Sequence, residues 1–256
     1  MNDKKYSAAF DVLKLRYELK KLFLKIDESS LDILISAFTE YNPAMPTAHF
    51  YVWLNALKKK TIFKVLQIPL KNVLGWYFDD NQNMRHQSGK FFSIEGVRVK
   101  TNVGLVKEWS QPIINQPEVG ILGILCKKHE GILYFLMQAK FEPGNVNLIQ
   151  ISPTVQATKS NYSQVHEGSL PPYLEHFLDT KGKKIIVDQL QSEQGARFFR
   201  KRNRNVILEI PEETEMKLLE NYCWLTLGQI KRLMKIDNIV NMNTRTVLSC
   251  TQLKAE

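Results

Sequence analysis

Two apolar runs joined by a short charged link occupy residues 120–141, GILGILCKKHEGILYFLMQAKF. Each run has the length of one strand, and Gly131 closes the link as a turn residue. We therefore expect a β-hairpin at this point, inside a larger sheet. Other short runs rich in β-branched and aromatic residues predict further strands at 63–70, 90–101, 147–155 and 183–190.

Helical spacing marks the N-terminal quarter of the chain. Phe10, Leu13 and Tyr17 suggest a first amphipathic helix, an Asp27 cap precedes a second, and a stripe from Phe50 to Leu57 predicts a third. Later helices are expected near 172–179, 212–222 and 226–235. Strands of mixed length flanked by helices predict an α+β fold. We expect residues 1–65 to form a helical segment packed on the core and residues 66–256 to form the main domain.

The composition is that of a globular protein with a basic surplus. Of 256 residues, 44% are hydrophobic and 24% charged, and the net charge is +9. The surplus leaves nucleic acid, a membrane surface and an anionic small substrate open as partners. An apolar signal core is absent from the first residues, and no run reaches the roughly 18 residues of a membrane span. With three scattered cysteines and no CxxC, we expect a cytoplasmic protein without a structural metal.

The standard nucleotide and catalytic motifs are missing. The sequence contains no GxGxxG, GxxxxGK[ST], HExxH or GxSxG. These absences argue against a nucleotide kinase, a dinucleotide-dependent reductase, a zincin and an α/β-hydrolase.

Polar residues instead alternate along two predicted strands. Period-two spacing places Gln138, Lys140 and Glu142 on one face of the first strand. It places a second polar set on one face of the next strand: Gln150, Ser152, Thr154, Gln156 and Thr158. One interpretation is an ordinary solvent face. The other is a hydrogen-bonding surface for a ligand rich in hydroxyl groups, which the scarcity of Lys and Glu favours.

Histidine and arginine supply further candidates. His86 and His166 are candidate acid–base groups, although lone histidines are more often structural. Arg197, within SEQGARFFRKRNRN, is the best candidate to bind a diphosphate because a guanidinium fork matches phosphate oxygens. We expect the remaining basic residues of that run to be solvated. Trp109 could stack on a base or be buried.

Several long motifs carry a family resemblance. They are WSQPIINQPEVGILGI, QAKFEPGN, QISPTVQATKSNY, VHEG and SEQGARFFRKRNRN, and together they resemble the NDP-hexose 2,3-dehydratases. The resemblance runs from about Trp53 to the C-terminal motifs. It implies a Nudix-like fold for the 66–256 catalytic domain and action on dTDP-4-keto-6-deoxyglucose. Members of the family typically carry two tandem copies of this unit, so the single copy here implies either a homodimer in place of the tandem pair or a divergent short form.

The resemblance supplies the motif positions of a set of site residues, and the chemistry of the elimination suggests their roles. Glu142 or His166 would serve as base and acid, and Tyr162 or Lys140 would donate to an enolate oxygen. Arg197 and Lys159 would hold the diphosphate. The remaining pocket residues would be His86, Trp109, Gln111, Gln150, Thr154 and Asn161. The elimination requires no redox cofactor, and because the Nudix glutamate signature is absent, metal-dependent pyrophosphohydrolysis is not expected.

Three rival functions remain open at this point. The chain could be a catalytically silent nucleotide-sugar binder, or it could act on a different NDP-sugar. The basic runs leave nucleic-acid binding as a third possibility, but the aromatic residues do not form an exposed stacking pattern. We therefore expect a nucleotide sugar as ligand, with neither nucleic acid nor membrane as partner.

Overall fold

The chain folds into one mixed and one antiparallel sheet, flanked by helices. The computed structural model describes residues 3–23, 25–158 and 170–255. The helices are α1 (Asp3–Leu22), α2 (Glu28–Phe38), α3 (Thr47–Lys60), α4 (Glu175–Leu178), α5 (Leu227–Met234) and α6 (Met242–Ser249). The strands are β1 (Trp76–Phe78), β2 (Met84–His86), β3 (Ser93–Lys100), β4 (Glu108–Asn115), β5 (Gly120–His129), β6 (Ile132–Phe141), β7 (Ile149–Ser152), β8 (Val155–Ala157), β9 (Lys184–Ser192), β10 (Arg202–Ile210) and β11 (Tyr222–Thr226). The expected α+β class is confirmed.

The hairpin predicted from residues 120–141 is present. Strands β5 and β6 pair antiparallel, with His129 opposite Ile132. The two residues between them, Glu130 and Gly131, have φ values of 48° and 78°. Positive φ at both central positions matches the right-handed twist of the strands, and the glycine adopts it without steric cost.

The larger sheet has the order β11-β6-β5-β10-β9, with β7 beside β6 and β8 beside β5. Strands β5 and β10 run parallel, and Asn203 is the register partner of Gly120. A Cβ atom at Gly120 would lie 2.5 Å from Asn203 Oδ1, so a side chain there would displace the asparagine. A second, antiparallel sheet has the order β1-β2-β3-β4.

Strands β5 and β6 pair next to their turn, from His129 and Ile132 to Cys126 and Phe135, and then separate. The segment β7–β8 lies in the opening between them. Strand β7 pairs with β6 and β8 pairs with β5, and the chain crosses between them at Pro153 and Thr154. We call this crossing point the fork. The expected single strand is therefore two strands with different neighbours. The hydroxyl of Thr154 contacts the backbones of β5 and β6, whereas Ser152 and Gln156 both contact Asn241.

The core lies on both faces of the larger sheet. On one face, Phe50 and Leu54 of α3 pack in a cluster with Phe135 and Ile230. On the other face, Phe177 of α4 packs in a cluster with Leu125 and Val206. Each such side chain contributes about 1.5–3 kcal/mol through burial. The stripe predicted in α3 is confirmed, and α3 shares its core with the sheet. The division into units 1–65 and 66–256 stays a prediction.

Some predicted elements are wrong. Residues 63–70 form no strand, and residues 212–221 form no helix. Among the α1 side chains whose burial is described, which begin at residue 11 and so leave Phe10 outside, Val12 and Leu19 are buried. Leu13 and Tyr17 are each 66% exposed, so the helix turns a different stripe toward the core. None of the described helices is long and apolar enough to cross a membrane.

Candidate active site

The end of β6 presents a carboxylate next to an ammonium group. Lys140 Nζ lies 3.3 Å from Glu142 Oε1, and the two side chains are 27% and 31% exposed. Strand geometry places both on one face, as the sequence predicts. Gln150 of β7 is the register partner of Lys140 and is buried. Three of the predicted site residues therefore lie together.

A chain of side-chain amides also contacts this carboxylate. Gln156 Nε2 donates to Glu142 Oε1 at 3.2 Å, and Gln156 Oε1 accepts from Asn241 Nδ2 at 3.0 Å. Asn241 Nδ2 also donates to Ser152 Oγ at 2.9 Å. We call Lys140, Glu142, Ser152, Gln156 and Asn241 the carboxylate cluster.

Asn241 is itself fixed by the helix that it begins. Its Oδ1 accepts from Thr244 N at 2.8 Å, which makes it the N-cap of α6. The orientation of its Nδ2 follows from this cap. Glu142 is thus positioned by contacts that reach from β6 through β8 to α6, and both donors to it contact the same oxygen, Oε1. A carboxylate oriented through one oxygen can present the other to a ligand.

Thr154 occupies the fork rather than the surface of a pocket. Its hydroxyl donates to Leu136 O at 2.5 Å and accepts from Leu125 N at 2.9 Å. The side chain is 1% exposed. The hydroxyl therefore replaces the ladder hydrogen bonds that β5 and β6 lose where they diverge. This location differs from the expected place in a sugar pocket.

Trp109, Gln111 and Arg197 form a second group at the edge of the smaller sheet. Trp109 Nε1 donates to Gln111 Oε1 at 3.0 Å, and Gln111 Nε2 donates to Ala196 O at 2.8 Å. The backbone N–H of Ile114 donates to Arg197 O at 2.9 Å. We call residues 193–201 the basic loop. These contacts hold it against β4, with the ring of Trp109 40% exposed and the side chain of Arg197 exposed.

His86 lies in an aromatic cluster of the smaller sheet. Its ring centroid is 4.4 Å from that of Phe91 and 5.4 Å from that of Trp76. Its Nδ1 lies 2.8 Å from Ser88 Oγ. These contacts are those of a packed histidine. Four other predicted site residues lie outside the described part of the chain: Lys159, Asn161, Tyr162 and His166. Within the described residues, no three His, Cys, Asp or Glu side chains are grouped so that they could hold a metal ion.

Comparison with known families identifies the unit to which these groups belong. Residues 47–251 match the family model for NDP-hexose 2,3-dehydratase. The chain belongs to this family. The resemblance drawn from the sequence motifs is therefore confirmed, and the match covers the carboxylate cluster and the basic loop alike.

Curated relatives of this dehydratase-family chain carry a common name. The dTDP-4-dehydro-6-deoxy-alpha-D-glucopyranose 2,3-dehydratase of Saccharopolyspora spinosa is 52% identical over 216 residues, which is 84% of this chain and 44% of that protein. The enzyme of the same name from Amycolatopsis orientalis is 47% identical over 224 residues, which is 85% of this chain and 47% of that protein. The chain spans about half the length of the curated relatives that it matches.

Solved structures resemble the chain more distantly. The crystal structure of an ADP compounds hydrolase aligns with a TM-score of 0.42 and 12% identity, over 73% of this chain and 94% of that one. A C. elegans Ap4A hydrolase aligns with a TM-score of 0.33 and 14% identity, over 52% of this chain and 93% of that one.

Reasoning from the sequence missed several buried polar residues of this dehydratase-family unit. Lys201 was expected to be solvated, but it is 5% exposed and its Nζ donates to Glu118 O. Burial lowers the pKa of the Lys201 ammonium below its ordinary value, although nearby carboxylates oppose that effect. Asn203 is 9% exposed and Asn205 is fully buried. The sequence did contain a sign of this burial: Asn203 and Asn205 alternate with Arg202 and Arg204, and a period of two indicates a strand with one buried face.

Proposed function

We propose that this chain is a lyase that removes water across carbons 2 and 3 of dTDP-4-keto-6-deoxyglucose. The observation that carries the proposal is the Glu142 carboxylate, held on one oxygen by Lys140 and Gln156 in a chain that belongs to the dehydratase family. The names of the curated relatives support the same substrate. The full activity is proposed here for the unit that this chain represents.

The chemistry requires a base, an oxyanion donor and a proton for the leaving group. The ketone at carbon 4 acidifies the hydrogen on carbon 3, and a base accepts that proton while the C–H electrons form an enolate. The enolate electrons then form the bond between carbons 2 and 3, and the carbon 2 hydroxyl leaves with a proton as water. The resulting enol becomes the 3-keto sugar. The sugar loses one water without a net change in oxidation state.

Glu142 is the proposed base, and Lys140 is the proposed donor to the enolate oxygen. An ammonium group aimed at developing negative charge stabilises an enolate more than a neutral ketone. In a glucose-type chair, the carbon 3 hydrogen and the carbon 2 hydroxyl are gauche. One carboxyl group can therefore accept the first proton and return it to the leaving hydroxyl. His166 and Tyr162 remain the alternative acid and donor.

The group formed by Trp109, Gln111 and Arg197 is the proposed nucleotide site. Arg197, with Lys159, would bind the diphosphate oxygens, and the exposed Trp109 ring offers a face for thymine. Gln111 links the two because it bonds the backbone of the basic loop at Ala196. His86 and Asn161 stay predicted members of the pocket lining.

The proposed partner is a second copy of this chain, and the proposed compartment is the cytoplasm. The family resemblance supports a homodimer, because members of the family carry this unit in tandem pairs. Light scattering tests the proposal: a homodimer gives twice the mass of one chain, and a monomer gives the mass of a single chain. The buried, unpaired thiols of Cys126, Cys223 and Cys250 are in keeping with a reducing compartment.

The test is incubation with dTDP-4-keto-6-deoxyglucose followed by mass spectrometry, with a 3-keto-sugar reductase added to trap the product. We expect a species lighter by one water, with free dTDP released from unstable product. The control is dTDP-glucose, which lacks the ketone and should remain intact. Binding of dTDP without any loss of water would instead identify a silent nucleotide-sugar binder.

A further inference from the structure

A small polar cavity lies beside the carboxylate cluster, and none of the residues predicted from the sequence lines it. Its volume is about 200 Å³, and it is bounded by β5, β9, β10, the first residues of the basic loop and α6. The polar groups that matter for binding are Gln191, Glu193, Asn203, Asn205, Asn243 and Thr246.

Asn205 brings an unsatisfied acceptor to this cavity. The residue is fully buried, and its Nδ2 donates to Asn203 O at 3.2 Å. That hydrogen bond fixes the orientation of the amide. Its Oδ1 is buried and accepts no hydrogen bond from the described residues. Because buried acceptors in native proteins are almost always paired with a protein group or an ordered water, we take this unpaired oxygen in the cavity wall as the place for a donor from water or a ligand.

Asn203 and Glu193 form a second fixed element of the cavity. Asn203 Nδ2 donates to Glu193 Oε2, which joins β10 to the start of the basic loop. Asn203 occupies the space that a side chain at residue 120 would fill, since a Cβ at Gly120 would lie 2.5 Å from its Oδ1. The glycine therefore permits the asparagine to hold the carboxylate in place.

The chemistry of the lining selects a neutral ligand that carries hydroxyl groups. Glu193 lines the cavity, and its carboxylate would repel a phosphate group because both are negatively charged. The neighbouring amides and hydroxyls both donate and accept, as sugar hydroxyls do. The volume is below the 300–1,000 Å³ typical of sites for drug-sized ligands. It suits one sugar ring rather than a complete nucleotide sugar.

The cavity adjoins the proposed catalytic groups through two elements. Leu122 lines the cavity and is the register partner of Gln156, so adjacent strands place the cavity beside the carboxylate cluster. Met242 also lines it and follows Asn241 in the chain. The basic loop begins at the rim with Glu193 and carries Arg197 farther along. A ring in the cavity would thus lie between a base and a diphosphate site.

We propose that this cavity is a binding subsite for a neutral hydroxyl-bearing ring, held by Glu193, Asn203 and Asn205. Its assignment to the sugar of a 4-keto-6-deoxyhexose nucleotide rests on the proposed function. Its ability to bind a hydroxyl-bearing ring does not, so the two can be tested separately.

The experiment narrows the cavity from α6. Thr246→Met adds volume at a lining position, and Thr246→Ser is the matched control that keeps the hydroxyl. Saturation-transfer NMR with millimolar 6-deoxy-D-glucose should give a signal for the wild-type protein and for Thr246→Ser. It should give none for Thr246→Met. A wild-type protein without signal, or an undiminished signal in the methionine variant, would overturn the subsite.

Calorimetry then connects the cavity to the nucleotide sugar. We expect Thr246→Met to raise the Kd for dTDP-glucose about tenfold and to leave the Kd for dTDP unchanged. An equal loss for both ligands would mean that the cavity does not hold the sugar. If the methionine variant fails to fold, Glu193→Gln keeps the volume and should weaken dTDP-glucose selectively. A sugar signal in a protein that does not turn over dTDP-4-keto-6-deoxyglucose would refute the proposed function while the subsite stands.

Discussion

The amide of Gln156 donates to the carboxylate of Glu142 across 3.2 Å, which joins β8 to the end of β6. Gln156 lies in β8, which pairs with β5, whereas Glu142 directly follows β6, which pairs with β7. Their contact therefore depends on the way the sheet opens and is refilled. The fold thereby orients a partly exposed carboxylate through one of its oxygens, which suits the general base proposed for it.

Replacing Glu142 with glutamine tests whether the carboxylate transfers a proton in the reaction or only stabilises the fold. The amide keeps the shape and can still contact Lys140 and Gln156, but it cannot accept a proton. We expect turnover of dTDP-4-keto-6-deoxyglucose to fall about 10²–10⁴-fold, with the dTDP affinity unchanged. Mass spectrometry measures the first quantity and calorimetry the second. Turnover within a few-fold of wild type, together with a lower melting temperature, would assign Glu142 to structure.

Gln156 should act as a positioning residue through Glu142. Gln156→Leu removes the donor to Glu142 and the acceptor for Asn241, each a contact of ordinary hydrogen-bond length. Because Glu142 loses the donor that orients it, we expect kcat to fall about tenfold or more while KM changes little. The control is Gln252→Leu, which removes an exposed amide far along the chain and should leave both constants unchanged. A rise in KM with kcat preserved would place Gln156 in substrate binding instead.

The sequence predicted the elements that local pattern determines. The β5–β6 hairpin follows from its two apolar runs and turn glycine, and α3 follows from its apolar stripe. The Lys140–Glu142 pair follows from strand periodicity alone. In each case neighbouring residues in the chain supply the information, so no knowledge of the tertiary fold is needed.

Features that arise from long-range contacts were missed. The fork depends on Thr154 replacing backbone partners on two other strands, which no local pattern reveals. The parallel pairing of β10 with β5 buries Lys201 and Asn205, although the basic composition of that run suggested solvent. Asn241 joins the carboxylate cluster because the residues that lead into α6 pair with Ile151 of β7. The sequence pattern of a helix cap specifies the cap but not what lies next to it.

Thr154→Val should destabilise the protein without changing its chemistry. Valine has a similar shape but leaves Leu125 N and Leu136 O without the hydroxyl that pairs with both. We expect a loss of about 1–3 kcal/mol, or roughly 2–4 °C of melting temperature for each kcal/mol. Thr154→Ser retains the hydroxyl and should melt close to wild type. Scanning calorimetry measures the melting temperatures of the two variants. An unchanged melting temperature together with weaker sugar binding would show that Thr154 contacts the sugar.

Burial of Lys201 predicts a pH dependence of stability. Because its folded-state pKa is lowered by burial, the unfolded chain holds a proton that the folded chain has released, between that value and the ordinary pKa of about 10.4. Stability therefore rises with pH across this window. The difference in unfolding free energy between wild type and Lys201→Met should shift in favour of wild type as pH rises toward about 10.4.

Urea denaturation at a series of pH values measures this difference. The matched control is Lys231→Met, which removes an exposed lysine on α5. Its difference from wild type should stay flat across the same range. If the Lys201→Met difference is equally flat, burial does not alter proton binding at this residue.

Arg197 provides a test of where the diphosphate binds. It is exposed on the basic loop, and its backbone is fixed against β4 by Ile114, so its guanidinium can contact a ligand that lies over Trp109. We expect Arg197→Gln to raise the Kd for dTDP about tenfold, equivalent to about 1.4 kcal/mol. The Kd for thymidine, which carries no phosphate, should not change. Arg232→Gln removes an exposed arginine that pairs with Glu40 on another part of the surface and should affect neither ligand. An equal rise in the Kd for dTDP and for thymidine would show that Arg197 shapes the site of the base. Thymidine carries no phosphate, so the loss of a phosphate contact cannot weaken its binding.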